Sequence, residues 1–298
     1  MGKVIPHYTE LAQVHYGQSI DFDALYVCEN QKVNGGESNI INLSGERTIG
    51  VCFADKVEYT YVIHIAKNSV IKLFFFFEED THSELHLTCA ENASCEHFVA
   101  QMNGSYQIIQ VNQSLNSTYD GKFFQLEGNK NAIKLNVSKD GENANTELSG
   151  VFFPSKDEVY SIITKVSHKK PNCETNELFR GIADEKGSGT FSGLIYVAKD
   201  AQKTAAKQQN RNIVLTKDAH IHSEPQLEIY ADDVVCNHGS STGQIDEESL
   251  WYMQARGIDK TTALKLLVSG FANDVLQKIL DDSVRDFFAE KIKAKLAQ

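Results

Sequence analysis

Polar and apolar residues alternate along short runs of the chain, as in Glu84-Leu85-His86-Leu87-Thr88-Cys89 and Ala132-Ile133-Lys134-Leu135-Asn136-Val137. A period of two, rich in β-branched and aromatic residues, predicts strands with one face turned to a core. Several runs end in a small-charged-Asn/Asp-small turn: Ala66-Lys67-Asn68-Ser69, Ala90-Glu91-Asn92-Ala93, Ala198-Lys199-Asp200-Ala201 and Thr216-Lys217-Asp218-Ala219. Asn and Asp suit such corners because their side chains bond nearby backbone groups and tolerate left-handed conformations. The first two turns lie 24 residues apart and the last two 18, with Val111-Asn112-Gln113-Ser114 a weaker echo 21 residues after the second. Strands returning at a period of about 20 residues predict a β-solenoid, in which each coil buries its inner face on the next. A β-sandwich produces the same alternation, so periodicity alone leaves both open.

From Ile245 the period becomes helical. Asp246-Glu247-Glu248 opens a helix with acid at the positive end of its dipole, and Arg256-Gly257 closes it. Asp259 can cap a second helix, whose Leu264, Leu267, Val268, Phe271, Val275 and Ile279 form one apolar stripe. Leu266, Leu276 and Leu280 are expected to project from the opposite side. A helix apolar on two sides must be covered twice, by its own neighbours or by another protein. A third helix, about Ser283 to Leu296, carries Val284, Phe287, Phe288 and Ile292.

Composition narrows the class without naming a function. Of 298 residues, 41% are hydrophobic and 23% charged, which supplies a core and argues against wholesale disorder. The net charge of −11, with no dense Lys/Arg cluster, predicts no nucleic-acid partner. Met1 to His7 are not followed by the apolar run of a signal peptide. The longest apolar run, Val70 to Phe77, is interrupted by Lys72 and too short to span a bilayer. The expectation is a cytoplasmic protein with no membrane partner. Cys28, Cys52, Cys89, Cys95, Cys173 and Cys236 include no Cys-x-x-Cys pair, and a chain this long needs no disulfide framework in a reducing compartment.

Specificity begins at Leu178. The chain then reads Phe179-Arg180-Gly181, Gly189-Thr190-Phe191-Ser192-Gly193, Ala201-Gln202-Lys203-Thr204 and Gln208-Gln209-Asn210-Arg211-Asn212. Glu224-Pro225-Gln226-Leu227-Glu228-Ile229-Tyr230-Ala231-Asp232-Asp233-Val234 and Cys236-Asn237-His238-Gly239 follow, then Gln244-Ile245-Asp246-Glu247-Glu248 and Arg256-Gly257-Ile258. This ordered series closely resembles the SufB/SufD family of iron–sulfur cluster assembly scaffolds. The Cys-x-His-Gly-x-x-x-Gly run is similar to the SufD branch. The strong resemblance covers roughly the last 120 residues, whereas residues 1 to about 170 share only the strand-and-turn rhythm.

The resemblance implies a mainly β fold, a right-handed parallel β-helix followed by a small C-terminal α-helical domain. Residues 1–45 would lead into the first coils, 46–244 would form the β-helix and 245–298 the helical domain. The family carries a helical region ahead of its β-helix, for which this chain has fewer residues than typical members. The resemblance further implies a non-catalytic subunit that pairs with a SufB-type sister scaffold and docks a SufC-type ABC ATPase through residues 245–298. A homodimer is an alternative when those partners are absent. No cofactor would be held stably; a transient iron–sulfur cluster would be shared with the sister subunit. His238 matches the family's functional histidine and is the candidate cluster ligand, since imidazole suits iron. Cys236, two residues away, would face the same side of a strand and is the weaker candidate. Leu266, Leu276 and Leu280 are the candidate partner-binding residues.

Other constellations compete. His82, His86, Cys89, Cys95 and His97 have the look of a zinc cluster, but on a strand His82 and His86 share a face that Cys89 does not. Asp232 and Asp233, with His238, could serve a β-helix carbohydrate lyase or hydrolase, though carboxylates at a coil corner are more often structural. Phe74 to Phe77 put aromatics on both faces of one strand, the outward pair to be covered by the N-terminal segment or an interface. No phosphate-binding loop, nucleophile elbow or dinucleotide fingerprint is present.

Overall fold

The computed structural model describes residues 24–28, 39–53, 58–77, 81–102 and 104–296. Most of the segment 1–45 expected to lead into the first coils lies outside them. The strands are β1 (Ala24–Cys28), β2 (Asn39–Leu43), β3 (Glu46–Phe53), β4 (Glu58–Ile65), β5 (Val70–Phe77) and β6 (Thr81–Cys89). They continue with β7 (Ser94–Gln101), β8 (Ser105–Gln113), β9 (Thr118–Gln125), β10 (Lys130–Lys139), β11 (Asn145–Phe152) and β12 (Val159–His168). The last five are β13 (Glu174–Ala183), β14 (Ser188–Val197), β15 (Thr204–Val214), β16 (His220–Ile229) and β17 (Val234–Gly243). Odd-numbered strands pair in sequence order into one nine-stranded sheet and even-numbered strands into an eight-stranded one. Every pairing is parallel. A chain that visits two parallel sheets in strict alternation is a β-helix, and the sandwich alternative falls away.

Each coil turns two corners, which explains why the sequence spacings disagree. The corner leading into an odd strand carries a left-handed residue: Asn68, Asn92, Asn116, Asn143 and Asn172 all have φ between 55° and 57°. Four of these side chains form a ladder, Asn92 Nδ2 donating to Asn68 Oδ1 at 2.9 Å, Asn116 to Asn92 at 3.0 Å and Asn143 to Asn116 at 3.0 Å. The first two steps are 24 residues and the third 27, so the coil is longer than the expected period of about 20. The spacing of 18 arose because Thr216–Ala219 belongs to the other kind of corner, between β15 and β16. Asn112 and Gln113 are in β8, and the third corner is centred on Asn116. At 198–201 the left-handed role passes to Lys203.

The inward faces hold a continuous core that includes Ile49, Leu73, Phe75, Leu87, Phe123, Leu135 and Phe179. Three helices follow, α1 (Glu247–Ala255), α2 (Lys260–Leu276) and α3 (Asp282–Lys295), and α2 and α3 pack a second core against the outside of the nine-stranded sheet. Asp246, Asp259 and Asp281 cap them, each accepting a backbone N–H from the first turn. Their cover explains why the second halves of β9 and β11 are buried on both faces. It also reassigns the aromatic run. Phe75 and Phe77 point into the β-helix, whereas Phe74 stacks on Phe98 with centroids 4.6 Å apart within the core beneath the helices.

Polar anchors fix the helices in place. Lys295, at the end of α3, reaches through that core to donate to the Leu126 carbonyl at 2.6 Å, and it pairs with Glu158. Arg180 of β13 is buried and pairs with Asp274 of α2. Lys291 pairs with Glu127 at 2.7 Å.

Candidate functional site

A β-helix has two ends, and the one formed by β16 and β17 is open among the described residues. Each strand is ten residues long and hydrogen-bonds to a neighbour on one side, β16 to β14 and β17 to β15. Their inward residues, buried in every earlier coil, are here only half-buried or exposed.

Register assigns the inward row of β17 without ambiguity. Val234 and Cys236 align with the inward Thr204 and Ala206, and both pack on the small core that includes Ala201, Ala206 and Ala231. Farther along, Ser240 shares a hydrogen bond at 2.7 Å with Ser223, which donates at 2.7 Å to the buried Asn210. His238 stands between Cys236 and Ser240 on the same face, in register with Gln208. His238 is thus an exposed imidazole on the terminal rung, above the mouth of the lumen. Cys236 is half-buried, and burial pushes its thiol up, opposed by a backbone hydrogen bond from Ala206. A thiol held in its protonated form is a poor metal ligand, so of the two His238 is the readier donor.

Beneath this rung the lumen is lined by polar groups, as it is in places in earlier coils, where Thr81, His97 and Gln107 are buried among aliphatic and aromatic side chains. Glu177 of β13 is fully buried, and burial pushes its carboxyl up to about 7 against the hydrogen bonds from Gln208 and Thr164 and the charge of Lys139. Asn212 donates to Asn210 Oδ1 at 2.7 Å and to Thr242 Oγ1 at 3.1 Å. Sequence reading singled out Gln208 to Asn212 only as part of a motif. Their placement on a strand interior, where alternation leads one to expect apolar residues, was the available signal.

The remaining candidates disperse. Asp232 and Asp233 sit at the corner before β17, and Asp233 is five positions from His238, about 16 Å at a rise near 3.3 Å. His82 is exposed and His86 half-buried, both outside the β-helix, while Cys89, Cys95 and His97 are buried inside it. Among the described residues no group of three or more His, Cys, Asp and Glu could hold a metal ion.

The helical domain corrects one expectation. Leu266 is 50% exposed and Leu280 85%, but Leu276 is 4% exposed and belongs to the core. Its spacing is the reason: Leu264, Val268, Ala272 and Leu276 follow at intervals of four and share the buried face. The helix also ends earlier than the apolar stripe suggests. Gln277 caps it, and Ile279 and Leu280 lie in the connection to α3. Sequence reading missed Trp251 and Tyr252 on α1, exposed by 79% and 60% on a helix with no buried residue. The sole tryptophan of the chain, placed in a short capped helix without an apolar stripe, was the signal.

Among the described residues no helix is long and apolar enough to cross a membrane. A family model described as SUF system FeS cluster assembly, SufBD core domain, matches residues 54–271. The chain is 29% identical over 238 residues to the iron-sulfur cluster assembly protein SufD of Escherichia coli (strain K12), which covers 78% of this chain and 56% of that protein. It is 31% identical over 201 residues to an iron-sulfur cluster assembly SufBD family protein of Synechocystis, covering 66% of this chain and 44% of the relative. It is 28% identical over 221 residues to the chloroplastic protein ABCI7 of Arabidopsis thaliana, covering 72% and 46%. The chain spans about half the length of these curated relatives. A core-domain match over most of the chain, on a two-sheet parallel β-helix, gives the conclusion: the chain belongs to the SufB/SufD family of iron–sulfur cluster assembly proteins, in its SufD branch.

Proposed function

We propose that this protein is a non-catalytic cytoplasmic scaffold, whose open β-helix end meets a SufB-type sister chain and whose helical domain docks a SufC-type ABC ATPase. A nascent iron–sulfur cluster is built at the junction and leaves again, as cargo. The observation that carries this reading is the position of His238 on the uncovered terminal rung. Two ten-residue edge strands with unpaired backbone groups are a template for another chain, and proteins rarely leave such edges bare. A partner laid against them would bring its own side chains to within reach of His238. This chain offers His238 and, less readily, Cys236; the other ligands then come from the sister subunit, and thiolates would suit iron. On the helices, Trp251, Tyr252, Leu266 and Leu280 are exposed apolar groups of the kind that anchor interfaces.

Coexpression with candidate partners tests the reading. The expected result is one complex containing an ABC-type ATPase and a second SufB/SufD-like chain, with no turnover of nucleotide or polysaccharide by this chain alone. A chain that purifies by itself and cleaves a polysaccharide would contradict it.

A further inference from the structure

Glu177, Gln208 and His238 occupy successive rungs of the nine-stranded sheet: Gln208 is inward-facing and aligned with both Glu177 of β13 and His238 of β17. Glu177 Oε2 accepts two hydrogen bonds, from Gln208 Nε2 at 2.8 Å and from Thr164 Oγ1 at 3.1 Å. A carboxyl oxygen that accepts twice decides which end of the amide faces it. The NH2 group must, whether or not Glu177 carries a proton on its other oxygen. Gly193 of β14 clears the room, since a Cβ there would lie 2.2 Å from Gln208 Nε2. Among the described residues the carbonyl Oε1 of Gln208 is left buried without a hydrogen-bond partner. The next rung, about 4.8 Å above, carries the exposed imidazole.

We propose that Gln208 is a positioning residue for His238, its Oε1 accepting the N–H of the imidazole nitrogen that faces the lumen. The other ring nitrogen is then unprotonated and turned to the open end, the state in which histidine binds a metal. Glu177 and Thr164 hold the amide so that it cannot present its NH2 group instead. The assignment rests on the reading of His238 as a cluster ligand and extends that site one rung inward.

The test is the tautomer of His238 in the full-length chain, read from long-range proton–nitrogen correlations of 15N-histidine-labelled protein and assigned with His238→Ala. At pH 8 the wild type is expected to favour one tautomer at least tenfold. Gln208→Leu should reduce that bias to the ratio shown by the exposed His64, and the exchanged pair Glu177→Gln with Gln208→Glu, which keeps a donor facing an acceptor, should restore it. Should Gln208→Leu fail to fold, the wild type alone decides, because a His238 ratio equal to that of His64 overturns the proposal. A bias that survives Gln208→Leu overturns it too. Cluster assembly by His238→Ala is a separate readout: normal assembly beside a locked tautomer would refute the ligand reading and leave the hydrogen bond standing, and the reverse pattern would refute only the positioning.

Discussion

Phe288 of α3 stacks on Phe124 of β9, the ring centroids 3.9 Å apart and the planes within 10°. Both rings are buried, and they join the helical domain to the β-helix at a point where Lys295 and Lys291 also reach across. Phe288→Ala removes the stack and leaves a cavity, so it is expected to destabilise the protein by about 3–5 kcal/mol. Urea unfolding monitored by circular dichroism would measure this. A loss below about 1 kcal/mol would mean that the helices are not a cooperative part of the fold.

The asparagine ladder makes a second prediction. Asn92 has φ of 57°, donates to Asn68 and accepts from Asn116. Asn92→Ala loses both hydrogen bonds and places a Cβ residue without a polar side chain in the left-handed region, for an expected loss of about 2 kcal/mol. Asn92→Gly keeps the backbone at ease and should lose about half as much. Equal losses in the two variants would show that conformation contributes nothing at this corner.

Glu177 gives the chain a pH dependence whose sign is fixed by its burial. Its carboxyl titrates near 7 in the folded protein against a usual value of 4.5. The folded state therefore keeps a proton that the unfolded chain releases. The stability this contributes is full below about pH 4.5 and is lost as pH rises through about 7. Glu177→Gln keeps the shape and cannot ionise. Its stability relative to wild type should increase between pH 5 and pH 8, by an amount on the order of 3 kcal/mol. Lys139, whose ammonium burial brings down to about 7, is coupled to Glu177, so losing that carboxyl lowers it further and the difference reports the pair. Melting temperatures of the two at both pH values decide the point, and a difference that does not change with pH would contradict it.

At the proposed ATPase dock, Leu266 and Leu280 are exposed and Leu276 is core. Leu266→Asp with Leu280→Asp is expected to abolish copurification of the ATPase while changing the melting temperature by less than about 2 °C, since exposed substitutions are near neutral. Leu276→Asp should instead unfold the helical domain. Normal ATPase binding by the double variant would move the dock to another surface, with Trp251 and Tyr252 of α1 the next to substitute.

Much of this architecture was legible before any coordinates. Alternation in Glu84–Cys89 and the asparagines at 68 and 92 gave strands and corners, because inward burial imposes a period of two and a tight corner imposes a left-handed residue. The helix start at Asp246 and the cap at Asp259 were legible for the same local reason, whereas the cap at Asp281 was not singled out. The coil length was not, because the two kinds of corner cannot be told apart from a single spacing. Leu276 differs from expectation because it continues the four-residue line of Leu264, Val268 and Ala272, in which the small Ala272 is a weak apolar marker. His238 and Cys236 stood out through their motif, but their position on an uncovered rung depends on where the β-helix stops. Gln208 and Glu177 acquire meaning only through register, which aligns residues about thirty positions apart.

His238, on the open rung, is proposed as a ligand for a cluster assembled at a subunit junction. The most direct measurement is the iron and acid-labile sulfide recovered after reconstitution of the complex carrying His238→Ala, compared with wild type. The expected result is a complex of normal composition whose melting is nearly unchanged, because the imidazole is exposed, together with at least a tenfold loss of cluster. A variant complex that assembles clusters at the wild-type rate would contradict it.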